Sequence, residues 1–330
     1  MKQYKEKAAE LIKNKLLEEI PGDDLPFFIN YFKKKFGNNL LAVIHYGSLL
    51  SEKTKKNDSF RDFFIIIDDF TTTTLPAFDK LLSSFLPPNL YYFEEEENNK
   101  KYICKYNVIS VNDFKEYVNI NPPDNYIAGR FSKRMALLYY KNDNIVNIIA
   151  TGMAEASIMT AEKSIFMMNR PLTKKELIIL FLSLSYMAEE RLEDFSVKSS
   201  ELYIAEIEYY NKLYGEIIIN YLINKKLIIC DYGTGVIWLK ISQKVFEKEH
   251  NNTLIYLNNT KTRTKLRWPK MLVTVDKWIE QLQGKLERTH GIKIKIPDWE
   301  RKVIFITGWR YYFKILKHVR EKNRNNMRNQ

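Results

Sequence analysis

Residues 40–69 read LLAVIHYGSLLSEKTKKNDSFRDFFIIIDD. LLAVIH (40–45) and FFIIID (63–68) are short, apolar runs of the buried-strand type, separated by the polar stretch Ser51 to Ser59. His45-Tyr46-Gly47-Ser48 leaves the first run, and Asp62 opens the second, 14 residues after Ser48. A glycine at such a turn lets the backbone approach a polyphosphate with no Cβ in the way. A serine hydroxyl and the free N–H groups of a following helix start then hold phosphate oxygens. An aspartate on the adjacent strand carries a divalent cation that bridges those oxygens. Gly47, Ser48 and Asp62 are therefore candidate site residues, with Asp62 as the metal ligand.

Outward from this segment, Pro21-Gly22-Asp23-Asp24 is a turn signal, and Leu25 to Phe36 reads as a helix ended by Gly37. The amphipathic opening MKQYKEKAAELIKNKLLEEI mixes glutamates with lysines and has no arginine, so it reads as a first helix and not as a transit peptide. Lys101 to Ser110 (KYICKYNVIS) fits a third strand. From about Ile145 the pattern turns helical, and Thr173 and Glu176 are spaced as a capping box ahead of Leu177, Leu180, Phe181 and Leu184. The stretch Leu227 to Pro297 mixes strand-like pieces with lysine-rich loops, and the segment from Trp299 is aromatic and strongly basic. Three regions follow: 1–143, 144–226 and 227–330.

The chain has 330 residues, 45% of them apolar, enough for one large core or two ordinary ones. Its 52 lysines and arginines against 40 aspartates and glutamates leave a formal charge of +12, which favours an anionic partner. Cys104 and Cys230 are too few for a disulfide framework and have no metal-ligand spacing, which suits a reducing compartment. No run approaches the roughly 20 apolar residues of a membrane-spanning helix, so any membrane contact is expected to be peripheral.

Gly-Ser followed by Asp on the adjacent strand resembles the DNA-polymerase-beta-like nucleotidyltransferases. That superfamily usually has a second acid two residues after the first, and here the position is Phe64. Asp68 and Asp69 cannot replace it: six residues of strand, at about 3.3 Å each, put Asp68 roughly 20 Å from Asp62.

Several segments in order resemble the mitochondrial translocator assembly and maintenance family of CDP-diacylglycerol synthases, which has bacterial members and likewise lacks the second acid. HYGSLL followed by RDFFIIIDD is similar to its Tyr-Gly-Ser turn and Asp-Phe strand. KYNVIS (105–110) resembles its Lys-Tyr-Gly-Val-Ile strand, with Asn107 for glycine. YIAGRFSKRM (126–135) resembles Tyr-x-Ala-Gly-Arg-x-x-Lys-Pro, with Arg134 for proline. LSYMAEERL (184–192) resembles Leu-Ser-Tyr-x-Gly-Asp-x-Arg-Met, with Ala188 for the glycine and Glu189 for the aspartate. LYGEI (213–217) and IFITG (304–308) resemble later segments. The family's histidine-containing segment has no counterpart in 71–85, and its Tyr-Tyr-Asn reads Tyr91-Tyr92-Phe93.

The resemblance implies an α+β protein: a polymerase-beta-like nucleotidyltransferase domain, a helical, winged-helix-like second domain, and a basic C-terminal segment. It implies transfer from CTP to phosphatidic acid with Mg2+, giving CDP-diacylglycerol and pyrophosphate. Asp62 and Glu189 would hold the metal, and Tyr46, Gly47, Ser48, Lys105, Arg130 and Lys133 the nucleotide. Lys133 would stabilise charge in the transition state, while Arg191 and Lys198 would meet the lipid phosphate. The expected location is a peripheral one, on the cytoplasmic face of a bacterial membrane or the matrix side of the mitochondrial inner membrane. The basic aromatic tail, Trp309 through Lys317 to Arg328, would contact the anionic surface. No nucleic acid is expected. The rival readings are a nucleotidyltransferase acting on RNA, which would need the paired acids this strand lacks, and a non-catalytic winged-helix nucleic-acid-binding protein.

Overall fold

The computed structural model describes residues 1–50, 60–71, 86–188, 195–231 and 233–274, with Glu287 and Pro297. The chain forms two compact units, Met1–Leu266 and Arg267–Gln330. In the first, helix α1 (Lys2–Leu16) buries Ala8, Ile12 and Leu16, four residues apart on one stripe. Helix α2 (Leu25–Phe36) buries Leu25, Phe28, Phe32 and Phe36, three and then four residues apart, also on one stripe. Strands β1 (Leu40–Tyr46), β2 (Arg61–Ile67), β3 (Asn89–Glu97), β4 (Lys100–Ser110) and β5 (Ala136–Tyr140) make one sheet in the order β3-β4-β2-β1-β5. The β2–β4 pair is parallel and the others are antiparallel.

Both faces of this sheet are covered, which is why its strands read as continuous apolar runs. On one face Val43, Phe63, Ile65, Tyr106 and Val108 pack with Phe28 and Phe32 of α2. On the other, Ala42, Ile44, Phe64, Ile66 and Ile109 join a larger cluster with α1 and the later helices. The hairpin joining β3 to β4 turns through Asn98 and Asn99, both left-handed (φ 52° and 59°), the geometry of a two-residue primed turn that asparagine tolerates.

Helices α3 (Val111–Tyr117), α4 (Asn125–Phe131) and α5 (Asp143–Ile165) follow. Helix α5 is buried on nearly every side, which its alanines, serines and Gly152 permit: a Cβ at Gly152 would lie 2.5 Å from Val118. Strand β6 (Leu172–Thr173) leads into α6 (Lys174–Met187), where the capping box forms as the sequence suggests: Thr173 accepts from the Glu176 N–H and Glu176 from the Thr173 N–H. Helices α7 (Phe195–Ala205) and α8 (Ile207–Tyr210) lead into a π-helical stretch (Asn211–Ile218) and α9 (Ile219–Asn224). Strands β7 (Ile228–Asp231) and β8 (Val236–Leu239) complete a second sheet in the order β6-β8-β7.

The lysine-rich loops expected after Leu227 are replaced by a 32-residue helix, α10 (Gln243–Thr274). Its buried stripe includes Thr253, Leu257 and Thr260. Two of those three are polar, so hydrophobic periodicity does not reveal the helix. The architecture is α+β with a mixed five-stranded sheet. Among the described residues, no helix is long and apolar enough to cross a membrane.

Candidate active site

Strand register puts four of the quoted residues in one row. Tyr46 pairs with Asp62, Asp62 with Lys105, and Lys105 with Tyr92. The row lies at the sheet edge of the face covered by the larger cluster: Phe64, two residues beyond Asp62, is fully buried, whereas Asp62, Lys105, Tyr46 and Tyr92 are half-buried. Side chains along a row point the same way, so a carboxylate and an ammonium emerge side by side from β2 and β4. Lys105 Nζ is 5.7 Å from the Phe60 ring centre, and Phe60 meets Tyr92 edge-on.

Gly47 follows β1 with φ +93°, and a Cβ there would come 3.1 Å from Asp62 Oδ2. The glycine thus puts no Cβ against the carboxylate. After it comes a 3-10 turn, Ser48–Leu50, in which the Leu50 N–H donates to Gly47 O at 3.3 Å. Tyr46 packs its ring on Phe64 at 5.1 Å, and its hydroxyl accepts from the Asn107 amide at 2.9 Å. Asn107, where the resembled family has glycine, is therefore used to fix Tyr46.

The opposite face anchors the row. Arg61 donates to Asp24 through Nε at 2.9 Å and through its terminal nitrogen at 2.6 Å. A Cβ at Gly22 would fall 2.3 Å from that guanidinium, so only glycine leaves room for the pair. Burial would raise the Asp24 carboxyl, but the hydrogen bond and charge of Arg61 outweigh it and hold the group below its ordinary value. His45 is fully buried with neither ring nitrogen hydrogen-bonded among the described residues. Burial, followed by the Arg61 charge, pushes it down to about 3, so it is neutral at physiological pH.

Helix α4 lies on the Asp62 face of the sheet, Phe131 meeting Phe64 edge-on at 4.9 Å. Asp124 caps it by accepting from the Tyr126 N–H at 2.9 Å. Arg130 stacks on Tyr126, 3.9 Å from the ring centre, and donates to the Tyr126 carbonyl. Lys133 lies beyond the helix end with Nζ 3.6 Å from the Tyr186 ring centre on α6. Lys133 thus lies past the end of the helix that carries Arg130, and each cation rests on its own tyrosine, which pre-sets its position.

Gly129 lets α4 and α6 touch, since a Cβ there would be 2.7 Å from Ser185 Cβ. Tyr214, in the π-helical stretch, donates to the Ser132 carbonyl at 2.6 Å. Three separated segments of the resemblance, 126–135, 184–188 and 213–217, thus pack against one another. Arg134, in place of a proline, is buried with long ion pairs to Glu18 (3.7 Å) and Glu206 (3.8 Å).

Lys198 ion-pairs with Glu201 at 2.8 Å, a neighbour one turn away on α7. Glu189, Arg191, the IFITG segment and the basic tail lie outside the described residues, as does the Ser48 side chain. Among the described residues no three acids, histidines or cysteines gather as a metal cluster. A shallow cavity of about 310 Å³ between α3 and α5 is lined by Phe114, Val118, Ile148 and Gly152, and none of the row's residues lines it. The Arg61–Asp24 pair carries no motif signal; the two residues are 37 positions apart and meet only through the fold. No family model matches this chain, and neither does any curated protein.

Proposed function

We propose that this protein is a magnesium-dependent phosphatidate cytidylyltransferase, transferring the cytidylyl group of CTP to phosphatidic acid and releasing pyrophosphate. The observation that carries the proposal is the pairing of Asp62 with Lys105 beside Gly47, a left-handed glycine that puts no Cβ against the carboxylate flanked by that ammonium. The donor set suits Mg2+, which binds through one or two carboxylates and completes its shell with water and substrate phosphates. Asp62 would hold it, with Glu189 as the second carboxylate. When bound, it supplies Lewis-acid stabilisation of phosphoryl oxygens.

In this reading Lys105 neutralises the triphosphate beside the metal ligand, and the Gly47 backbone lets those phosphates approach. Arg130 and Lys133, held on Tyr126 and Tyr186, stabilise charge developing on the phosphoryl and leaving oxygens. A phosphatidate oxygen attacks the α-phosphorus in line, the bond to the bridging oxygen breaks, and pyrophosphate leaves with that electron pair. The phosphate nucleophile is already ionised, so no general base is needed. The order helix, β6, helices, β7–β8 hairpin, with sheet order β6-β8-β7, supports a winged-helix-like second part.

The test is incubation with labelled CTP, phosphatidic acid and Mg2+. Label should pass into the lipid phase with the parent chain and not with Asp62→Asn, whose melting temperature should match the parent's. Lipid labelling by Asp62→Asn at the parent rate would remove the assigned site.

A further inference from the structure

The three-stranded sheet has one face turned inward and one turned outward. Ile228 and Ile237 are buried, and Cys230 and Leu239 pack partly against the larger cluster. The alternate positions are exposed: Ile229 and Trp238 pair directly across β7 and β8 and keep 45% and 47% of their surface in water. A tryptophan and an isoleucine side by side on a rigid hairpin make a continuous apolar spot, unlike the scattered exposed leucines of any surface.

Lysines border this spot. Lys240 lies two residues past Trp238, on the same side of the strand by alternation, and its N–H donates to the Leu227 carbonyl at 2.8 Å at the hairpin base. Lys226 stands beside it with φ 58° and is exposed. Lys174 and Lys175, also exposed, follow β6 on the neighbouring edge. Asp231, exposed two residues past Ile229, accepts from the Gly233 N–H at 2.8 Å and the Thr234 hydroxyl at 2.9 Å within the hairpin turn, and Glu176 accepts from Thr173 and Arg170.

We infer that this outward face is a membrane-docking surface for an anionic bilayer, with Trp238 and Ile229 entering the headgroup boundary and Lys226 and Lys240 meeting lipid phosphates. An indole suits that depth because its ring is apolar and its N–H reaches water or headgroup oxygens. Lysine stems lie along the apolar boundary while their ammonium groups reach the anionic surface. Duplex DNA is the other polyanion such a hairpin could meet, but phosphate-backbone binding gives no use to an exposed isoleucine paired with an indole. The inference rests on this face of the small sheet and not on the transferase assignment.

The test uses the full chain and vesicles of phosphatidylcholine with and without phosphatidic acid. The parent should co-sediment with the acidic vesicles at low salt and much less with neutral ones. Trp238→Ala/Ile229→Ala should lower vesicle binding about tenfold, from the lost apolar insertion. Lys226→Ala/Lys240→Ala should weaken binding to acidic vesicles and reduce its salt dependence. Both variants should keep the parent's melting temperature and CTP affinity, since all four side chains are exposed. A polarity-sensitive dye on Ile229→Cys should shift to the blue on acidic vesicles.

Co-sedimentation of the double apolar variant equal to the parent's, or no vesicle binding by the parent, would overturn the inference. So would selective loss of duplex DNA binding in these variants with vesicle binding intact. If the variant loses vesicle binding while the parent makes no lipid-soluble product from CTP, the docking surface stands and the transferase reading falls.

Discussion

Asp62 and Gly47 act as one unit at the residue scale, because a Cβ at position 47 would press on the carboxylate. Gly47→Ala would place a methyl 3.1 Å from Asp62 Oδ2 in a backbone with φ +93°. It should destabilise the chain by roughly 1–2 kcal/mol and raise the KM for CTP, read by melting and steady-state kinetics. His45 gives a pH signature. Its ring is held neutral in the folded chain down to about pH 3, whereas the unfolded chain takes up the proton near 6.5. Between those values the unfolded state binds more protons, so stability falls as pH falls, by about 1.4 kcal/mol per pH unit. Asp24, whose folded value is depressed, keeps its contribution above its ordinary 3.8 and loses it only at lower pH. Denaturant titrations between pH 6 and 4.5 should therefore show a slope that His45→Phe largely removes. An unchanged slope in that variant would assign the effect to other groups.

At the scale of elements, the closeness of α4 and α6 sets where Arg130 and Lys133 stand. Gly129→Ala would push a methyl to 2.7 Å from Ser185 Cβ, and overpacking of this kind typically destabilises by about 1–3 kcal/mol. It should also lower kcat, because Lys133 rests on Tyr186 of the displaced helix. Ser185→Gly in the same chain should recover part of both losses, and a double-mutant cycle measures that coupling. Recovery of neither would mean the two helices yield independently. Strand pairing carries the same lesson: β4 reaches β2 only because the Asn98-Asn99 turn folds β3 back, making β2–β4 parallel and setting Lys105 beside Asp62.

Across the whole first unit, α10 fastens the segment that carries the cations. Arg263 donates to Asp124 at 2.7 Å and to the Tyr117 hydroxyl at 2.7 Å, and Thr260 accepts from the Asn125 N–H at 3.0 Å. Asp124 is fully buried and caps α4, so removing Arg263 takes a cation from a buried carboxylate. Arg263→Ala should lower stability by about 3 kcal/mol, seen as a lower urea midpoint with an unchanged slope. Arg263→Lys should recover only part, since an ammonium cannot serve both acceptors in the guanidinium's geometry. A midpoint within experimental error of the parent's would show that the contact carries no weight.

The bounds of α2, the strands β1 and β2, the Thr173–Glu176 capping box and the turn next to Asp62 were all legible from local sequence. Each depends on the periodicity of burial or on hydrogen bonds between near neighbours, which a short window contains. The strand β3, the helix α10 with its threonine-rich stripe, and the Arg61–Asp24 pair were not. The helix and the ion pair depend on partners far along the chain: Arg61 and Asp24 are separated by 37 positions, and Arg263 and Asp124 by 139. Composition and local order settle which residue types are available for phosphate and metal chemistry. Only the tertiary structure decided that Asp62 and Lys105 stand side by side and that Lys133 rests on Tyr186, because register and helix approach follow from which side chains fit once remote segments meet.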